Sequence, residues 1–200
     1  VISTPTSSHA RLINDFSRKN NKILVEKPAA LNFKEADLII DAIQNGSSIN
    51  VCFQRFHDPA VKKFISIFKQ QDSSKLKAMN IKVGSDVRLW HPYEDYRDLY
   101  ACRHDLGGGV LYTECHEIAL VLKILGTPSQ SNLIDYSMLS DSNVESKIEF
   151  DLLYEKIRVS FNLDFLSTEH SRIVTAVFES IRIELDFLKR SLTVYNGNKL

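Results

Sequence analysis

Along the first fifty residues short apolar runs alternate with helical patterns. Val1-Ile2-Ser3 reads as the end of a strand and Thr4-Pro5 as a turn. Ser7 or Ser8 can cap a helix running to about Lys19. Ile23-Leu24-Val25 is a β-rich run that stops at Glu26-Lys27-Pro28. Asn32 with Glu35 three residues on has capping-box spacing and opens a helix that Gly46 closes, and 49–53 is a third strand. Strand and helix in alternation, joined by short links, predict a parallel sheet covered by helices.

After Arg55 the pattern changes. Pro59 opens a helix carrying Val61, Phe64, Ile65 and Phe68, and a strand follows over 79–83. A long polar and aromatic stretch covers 86–106. Gly107-Gly108-Gly109 then introduces a helix over 110–125, stopped by Gly126 and Pro128. Beyond it apolar residues recur with period two, as in Ile157, Val159, Phe161, Leu163 and Phe165. That is the signature of a mostly antiparallel sheet with one solvated face. The expected architecture is therefore α/β: a parallel, helix-covered sheet over residues 1–56, and 57–200 as an α+β domain with a large, mostly antiparallel open sheet.

Composition narrows the functions. Charge is balanced, 25 Lys+Arg against 25 Asp+Glu, which argues against nucleic acid or an anionic membrane surface as partner. No apolar run approaches the ~20 residues of a membrane helix. Cys52, Cys102 and Cys115 are odd in number and lack CxxC spacing, as expected of reduced thiols in a cytoplasmic protein. Cys102, His104, Cys115 and His116 do not have zinc-site spacing either, so no metal is expected. The chain opens without Met on Val1-Ile2 and stops just after Leu192-Thr193-Val194-Tyr195, and both ends read as cuts through a longer protein.

Three constellations can carry chemistry. Lys27 ends a parallel strand, where open α/β sheets bind ligands, and Pro28 stiffens the turn; an ordinary solvated Lys in a strand-to-helix turn fits as well. His116, one turn after Tyr112 and Thr113 and close to the glycine turn, has the setting of a general base titrating near neutral pH, or of a satisfied structural histidine. The segment holding Trp90, Tyr93, Asp95, Arg97 and His104 joins aromatic faces to carboxylates and guanidinium forks. It suits a polyhydroxylated substrate, and equally an interface or lid.

Taken in order, Val1-Ile2-Ser3-Thr4-Pro5 with His9, Val25-Glu26-Lys27-Pro28, Gln54-Arg55-Phe56, and Gly107-Gly108-Gly109 through His116 resemble the Gfo/Idh/MocA oxidoreductases over essentially the whole chain. The resemblance implies an NAD- or NADP-dependent enzyme of carbohydrate metabolism, acting on a sugar, inositol or sugar-nucleotide alcohol. It makes residues 1–56 the last part of a dinucleotide-binding (Rossmann) domain, 57–200 the substrate and oligomerisation domain, and Lys27 and His116 the catalytic pair. Thr4, Pro5, His9, Glu26, Lys27, Pro28 and Arg55 fall where the family contacts cofactor. Trp90, Tyr93, Asp95, Arg97, His104 and Tyr112 become the substrate contacts, and the open sheet the surface of a homo-oligomer. Two departures stand out. Tyr112 and Thr113 occupy the slots where many members place an Asp one turn before the histidine. The family's Gly-x-Gly-x-x-Gly, whose backbone N–H groups seat a pyrophosphate at a helix start, is not among these residues, so the piece alone is expected to bind cofactor weakly. The alternative is a redox-inactive relative serving as a binding or assembly module.

Overall fold

The computed structural model describes residues 1–197. Strands β1 (Lys22–Glu26) and β2 (Ser48–Cys52) pair in parallel, and Ile2 adds a single parallel bridge to Val25. Two helices accompany them, α1 (His9–Phe16) and α2 (Phe33–Gln44), and pack on each other. The capping box before α2 is present but displaced by one residue. Asn32 Oδ1 accepts the Glu35 N–H at 3.0 Å, while the Glu35 carboxylate reaches back to the Leu31 N–H at 2.8 Å. Ile2, Ile13, Ile23, Val25, Ile39 and Ala42 form the small core of this part.

The remaining strands build one seven-stranded sheet, in the order β4-β5-β6-β3-β7-β8-β9. These are β3 (Leu76–Asp86), β4 (Gln130–Met138), β5 (Glu145–Tyr154), β6 (Ile157–Asp164), β7 (Leu166–Phe178), β8 (Ile181–Asp186) and β9 (Ser191–Asn196). β3 and β6 run parallel and the other neighbours antiparallel. The fold is thus α/β with a large mixed sheet, as the pattern predicts. The period-two residues explain its faces. Met79, Ile81, Leu163, Ile183 and Leu185 are fully buried with Val61 and Phe64 of α3 (Pro59–Lys69). Each such side chain contributes about 1.5–3 kcal/mol by leaving water. The opposite face carries a polar row in cross-strand register, Asp151, Ser160, Asn80, Thr175 and Glu184.

Two expectations need correction. The helix predicted over 110–125 is interrupted: α4 (Val110–Thr113) ends in a turn at Glu114 and Cys115, and α5 (His116–Leu125) starts afresh. His116 is therefore the first residue of a helix, not a mid-helix residue one turn after Tyr112. Strand β4 is absent from the predicted elements because it lies at the sheet edge and is exposed along almost its whole length, so it shows no alternation. Among the described residues no helix is long and apolar enough to cross a membrane.

Candidate active site

The end of β1 delivers Glu26 and Lys27 to a recess of ≈ 320 Å³, which Ser3, Thr4, Pro5, Thr6 and Tyr100 also border. The Lys27–Pro28 peptide is cis. Beneath the recess His9 is buried, its Nδ1 2.9 Å from the Pro28 carbonyl oxygen and its Nε2 2.8 Å from that of Thr4. Both ring nitrogens face carbonyls, so His9 braces the two turns that carry Thr4 and Lys27 and leaves no polar atom over for a ligand.

Each glycine of the triplet has its own reason. A Cβ on Gly107 would press on Leu31 and Thr6 at 2.9 Å, and one on Gly108 would meet the Tyr100 carbonyl oxygen at 2.5 Å. Gly109, at φ +111°, leaves room for the Glu145 carboxylate. That carboxylate accepts the Leu111 N–H at 3.0 Å and places negative charge at the start of α4. Close packing thus seats the glycine turn against the amino-terminal part of the chain. Two hydrogen bonds reinforce it. The Tyr112 hydroxyl donates to the Leu31 carbonyl at 2.7 Å, and Lys27 Nζ donates to the Thr113 carbonyl at 2.7 Å across 86 positions of sequence.

Lys27 therefore ends three residues before His116, and the surroundings of that imidazole are cationic. Burial, then the charges of Lys27, Arg55 and Arg172, push its pKa down to about 3. The expectation of titration near neutral pH is corrected accordingly: in the unliganded site the ring is neutral throughout the physiological range. His116 Nδ1 is buried without a hydrogen-bond partner, and the Phe53 ring meets the imidazole edge-on at 5.9 Å. Left unmet by a ligand or water, an orphan polar atom of this kind costs roughly 1–3 kcal/mol.

Glu114 and Glu117, on either side of Cys115-His116, belong to Arg172 of β7. The guanidinium donates to both oxygens of Glu117 at 2.8 Å and to Glu114 at 2.7 Å. Burial opposes the Arg172 charge, but its bonds to Glu117 and the charge of Glu114 outweigh that and raise its pKa. Arg55 Nε stands 4.0 Å from Glu117, buried and unpartnered, with its guanidinium over the Phe187 ring. Burial and then the charge of Arg172 lower the Arg55 pKa, and the opposing charges of Glu117, Glu114 and Asp58 do not make up for them. Both Glu117 oxygens accept from Arg172, so neither is free for proton transfer.

The long polar segment contributes less than its composition promises. Trp90 packs edge-on against Phe165 and donates its Nε1–H to Ser85. Tyr93 is 81% exposed and stacks on His91. Asp95 and Arg97 pair with each other, which holds the Asp95 carboxyl down at about 2. His104 is exposed. None of these five borders the recess beside Lys27, whereas Tyr100 of the same segment does. Glu145 and Arg172 carry no local signal and are missing from the sequence-based candidates, whereas Tyr100 belongs to the aromatic segment already singled out there. The cysteines are unbridged, and burial raises Cys115 to about 11. Among the described residues no three His, Cys, Asp or Glu side chains converge as a metal site would require.

No family model and no curated protein matches the chain. Solved structures do. The WlbA dehydrogenase from Bordetella pertussis, in complex with NADH and UDP-GlcNAcA, superposes with a TM-score of 0.83 at 14% identity, covering 99% of this chain and 62% of that one. The aldose-aldose oxidoreductase from Caulobacter crescentus, complexed with glycerol, gives 0.79 at 15% identity, with 99% and 62% covered. The UDP-N-acetylglucosamine 3-dehydrogenase GnnA from Acidithiobacillus ferrooxidans gives 0.74 at 17%, with 98% and 60% covered. At these identities the likeness is one of fold. The chain spans about three fifths of the structures it matches.

Proposed function

We propose that the chain is part of an oxidoreductase that moves a hydride between NAD or NADP and an alcohol of a sugar, inositol or sugar nucleotide. In this reading residues 1–56 complete a dinucleotide-binding domain and 57–200 form the substrate domain, the last three lying outside the described residues. The observation that carries it is the junction of Lys27 with the Thr113 carbonyl, beside a buried, unpartnered His116. Two groups suited to alcohol oxidation, a fixed cation and a neutral proton acceptor, are thereby brought within three residues of each other near the end of a parallel strand. The fold shared with NADH-bound WlbA supports the reading.

The recess at Thr4, Pro5, Glu26 and Lys27 fits the nicotinamide end of such a cofactor, with Arg55 close behind His116. A bound nicotinamide would supply the hydride acceptor or donor. Lys27 favours the developing alkoxide through its charge. His116, neutral above about pH 3, takes the hydroxyl proton. Tyr100 lines the wall of the recess. The polar face of the large sheet, with exposed Leu133, Ile134, Tyr136 and Met138 on edge strand β4, serves as the contact between copies.

The test is reduction of NAD+ or NADP+ by the full-length gene product with a panel of sugars, inositols and sugar nucleotides. His116→Asn should lower kcat about 10²–10⁴-fold while cofactor affinity stays near wild type. Lys27→Met should likewise act on kcat more than on substrate binding. Turnover of neither cofactor with any alcohol would support a redox-inactive binding module instead, and near-normal kcat in His116→Asn would return that residue to a structural role.

A further inference from the structure

Arg172 has no part in the chemistry above, yet it is a largely buried guanidinium bonded to two buried carboxylates. It reaches from β7 to Glu117, 55 positions away, and its side chain is 12% exposed against 1% for Glu117. The two carboxylates it holds bracket Cys115-His116, at the break between α4 and α5. A fork bonded to both oxygens of one carboxylate fixes plane as well as distance, and the added bond to Glu114 closes the turn from its other end. On the opposite side Lys27 holds the Thr113 carbonyl. Residues 113–117 are thus anchored once from each of the two sheets.

We propose that Arg172 is a positioning residue for the proton acceptor: by chelating Glu117 and Glu114 it fixes the turn from which His116 projects. This rests on the reading of His116 given above. Its charge has a second consequence. The cations acting on His116 are Lys27, Arg55 and Arg172, with Glu114 and Glu117 on its own turn, Cys115 beside it, and the Phe53 ring packed against it. Losing Arg172 removes a cation and frees two carboxylates, and both changes favour the imidazolium. A lysine keeps the charge but cannot make the planar fork, so the two substitutions separate charge from geometry.

The experiment is NMR of the chain, with the His116 ring assigned through His116→Asn, which requires no turnover. A failure of the catalytic reading would leave these signals unaffected, so the two ideas fail separately. Arg172→Gln should raise the protonated fraction of His116 at pH 5 about tenfold. Arg172→Lys should leave that fraction near wild type, while the amides of 114–117 exchange roughly tenfold faster. Should Arg172→Gln fail to fold, Arg172→Gln/Glu117→Gln, which removes the pair together, must show the faster exchange. An Arg172→Gln protein that only loses thermal stability, with ring titration and exchange at 114–117 unchanged, overturns the proposal. Failure of all three variants to fold overturns it as well, because a charge-preserving change that cannot fold makes Arg172 a purely structural residue.

Discussion

His116 should make the protein acid-labile in a window set by its own burial. The unfolded imidazole titrates at 6.5 and the folded one at about 3, so between those values the unfolded chain binds a proton that the folded chain refuses. Stability must therefore rise with pH through this window, and the contribution is flat above it. Each pH unit is worth about 1.4 kcal/mol, so lowering the pH from 7.5 to 5 should cost the fold about 2 kcal/mol through this residue. His116→Gln keeps a polar side chain and cannot titrate. Carboxylates also give stability a pH dependence, but they do so in both proteins, so the difference between them isolates the imidazole. Urea unfolding at several values between pH 5 and 8, followed by circular dichroism, provides the measurement. The wild type minus variant difference should be constant above about pH 7 and fall by about 2 kcal/mol at pH 5. Parallel curves would refute the cationic environment. A difference of opposite slope would mean that Glu114 and Glu117, not the three cations, govern the ring.

Gly109→Ala combines a backbone at φ +111° with a Cβ 2.5 Å from Glu145 Oε1, evicting the carboxylate from the start of α4. It should cost roughly 2–4 kcal/mol. Gly126→Ala, at φ +80° with open space around it, should cost only about 1 kcal/mol, and equal losses of Tm in the two variants would contradict the packing argument. Tyr112→Phe deletes the hydrogen bond to the Leu31 carbonyl and should lower stability by about 1 kcal/mol in denaturant unfolding; an unchanged midpoint would mean that the hydroxyl is as well satisfied by water.

What the sequence made legible follows the range over which its signals act. The capping box at Asn32 and Glu35, the proline opening α3 and the period-two strands are local rules, and they place elements to within a few residues. The interruption at Glu114 and Cys115 is not local. Residues 110–125 have an unbroken apolar stripe, and two acids near a helix start look like ordinary dipole partners. Their actual partner, Arg172, shares the core-facing parity of Val174, Ala176 and Phe178 in β7, but no spacing rule links positions 55 apart. The polar segment fails in the other direction. Asp95 and Arg97 are rich in recognition chemistry, but at a separation of two they satisfy each other first.

Under the proposed function, the charge balance around His116 decides how labour would be divided between it and Lys27. Three cations stand against two carboxylates, and Arg172 takes both carboxylates. Lys27 rests on a neutral carbonyl, so nothing in its immediate hydrogen bonding cancels its charge. A unit charge about 4 Å away at an effective dielectric of 20 is worth about 4 kcal/mol, comparable to several decades of rate. Under the proposed function, the cations that help burial hold the imidazole neutral would also favour an alkoxide beside it. The proton would then pass to a weak base next to an oxygen whose negative charge the site favours, with the cations lowering the barrier more than the basicity of His116. An Asp one turn before the histidine would reverse that order by stabilising the imidazolium. With Tyr112 and Thr113 in those slots and both nearby carboxylates committed to Arg172, the electrostatics of the proposed reaction would act on the substrate oxygen instead.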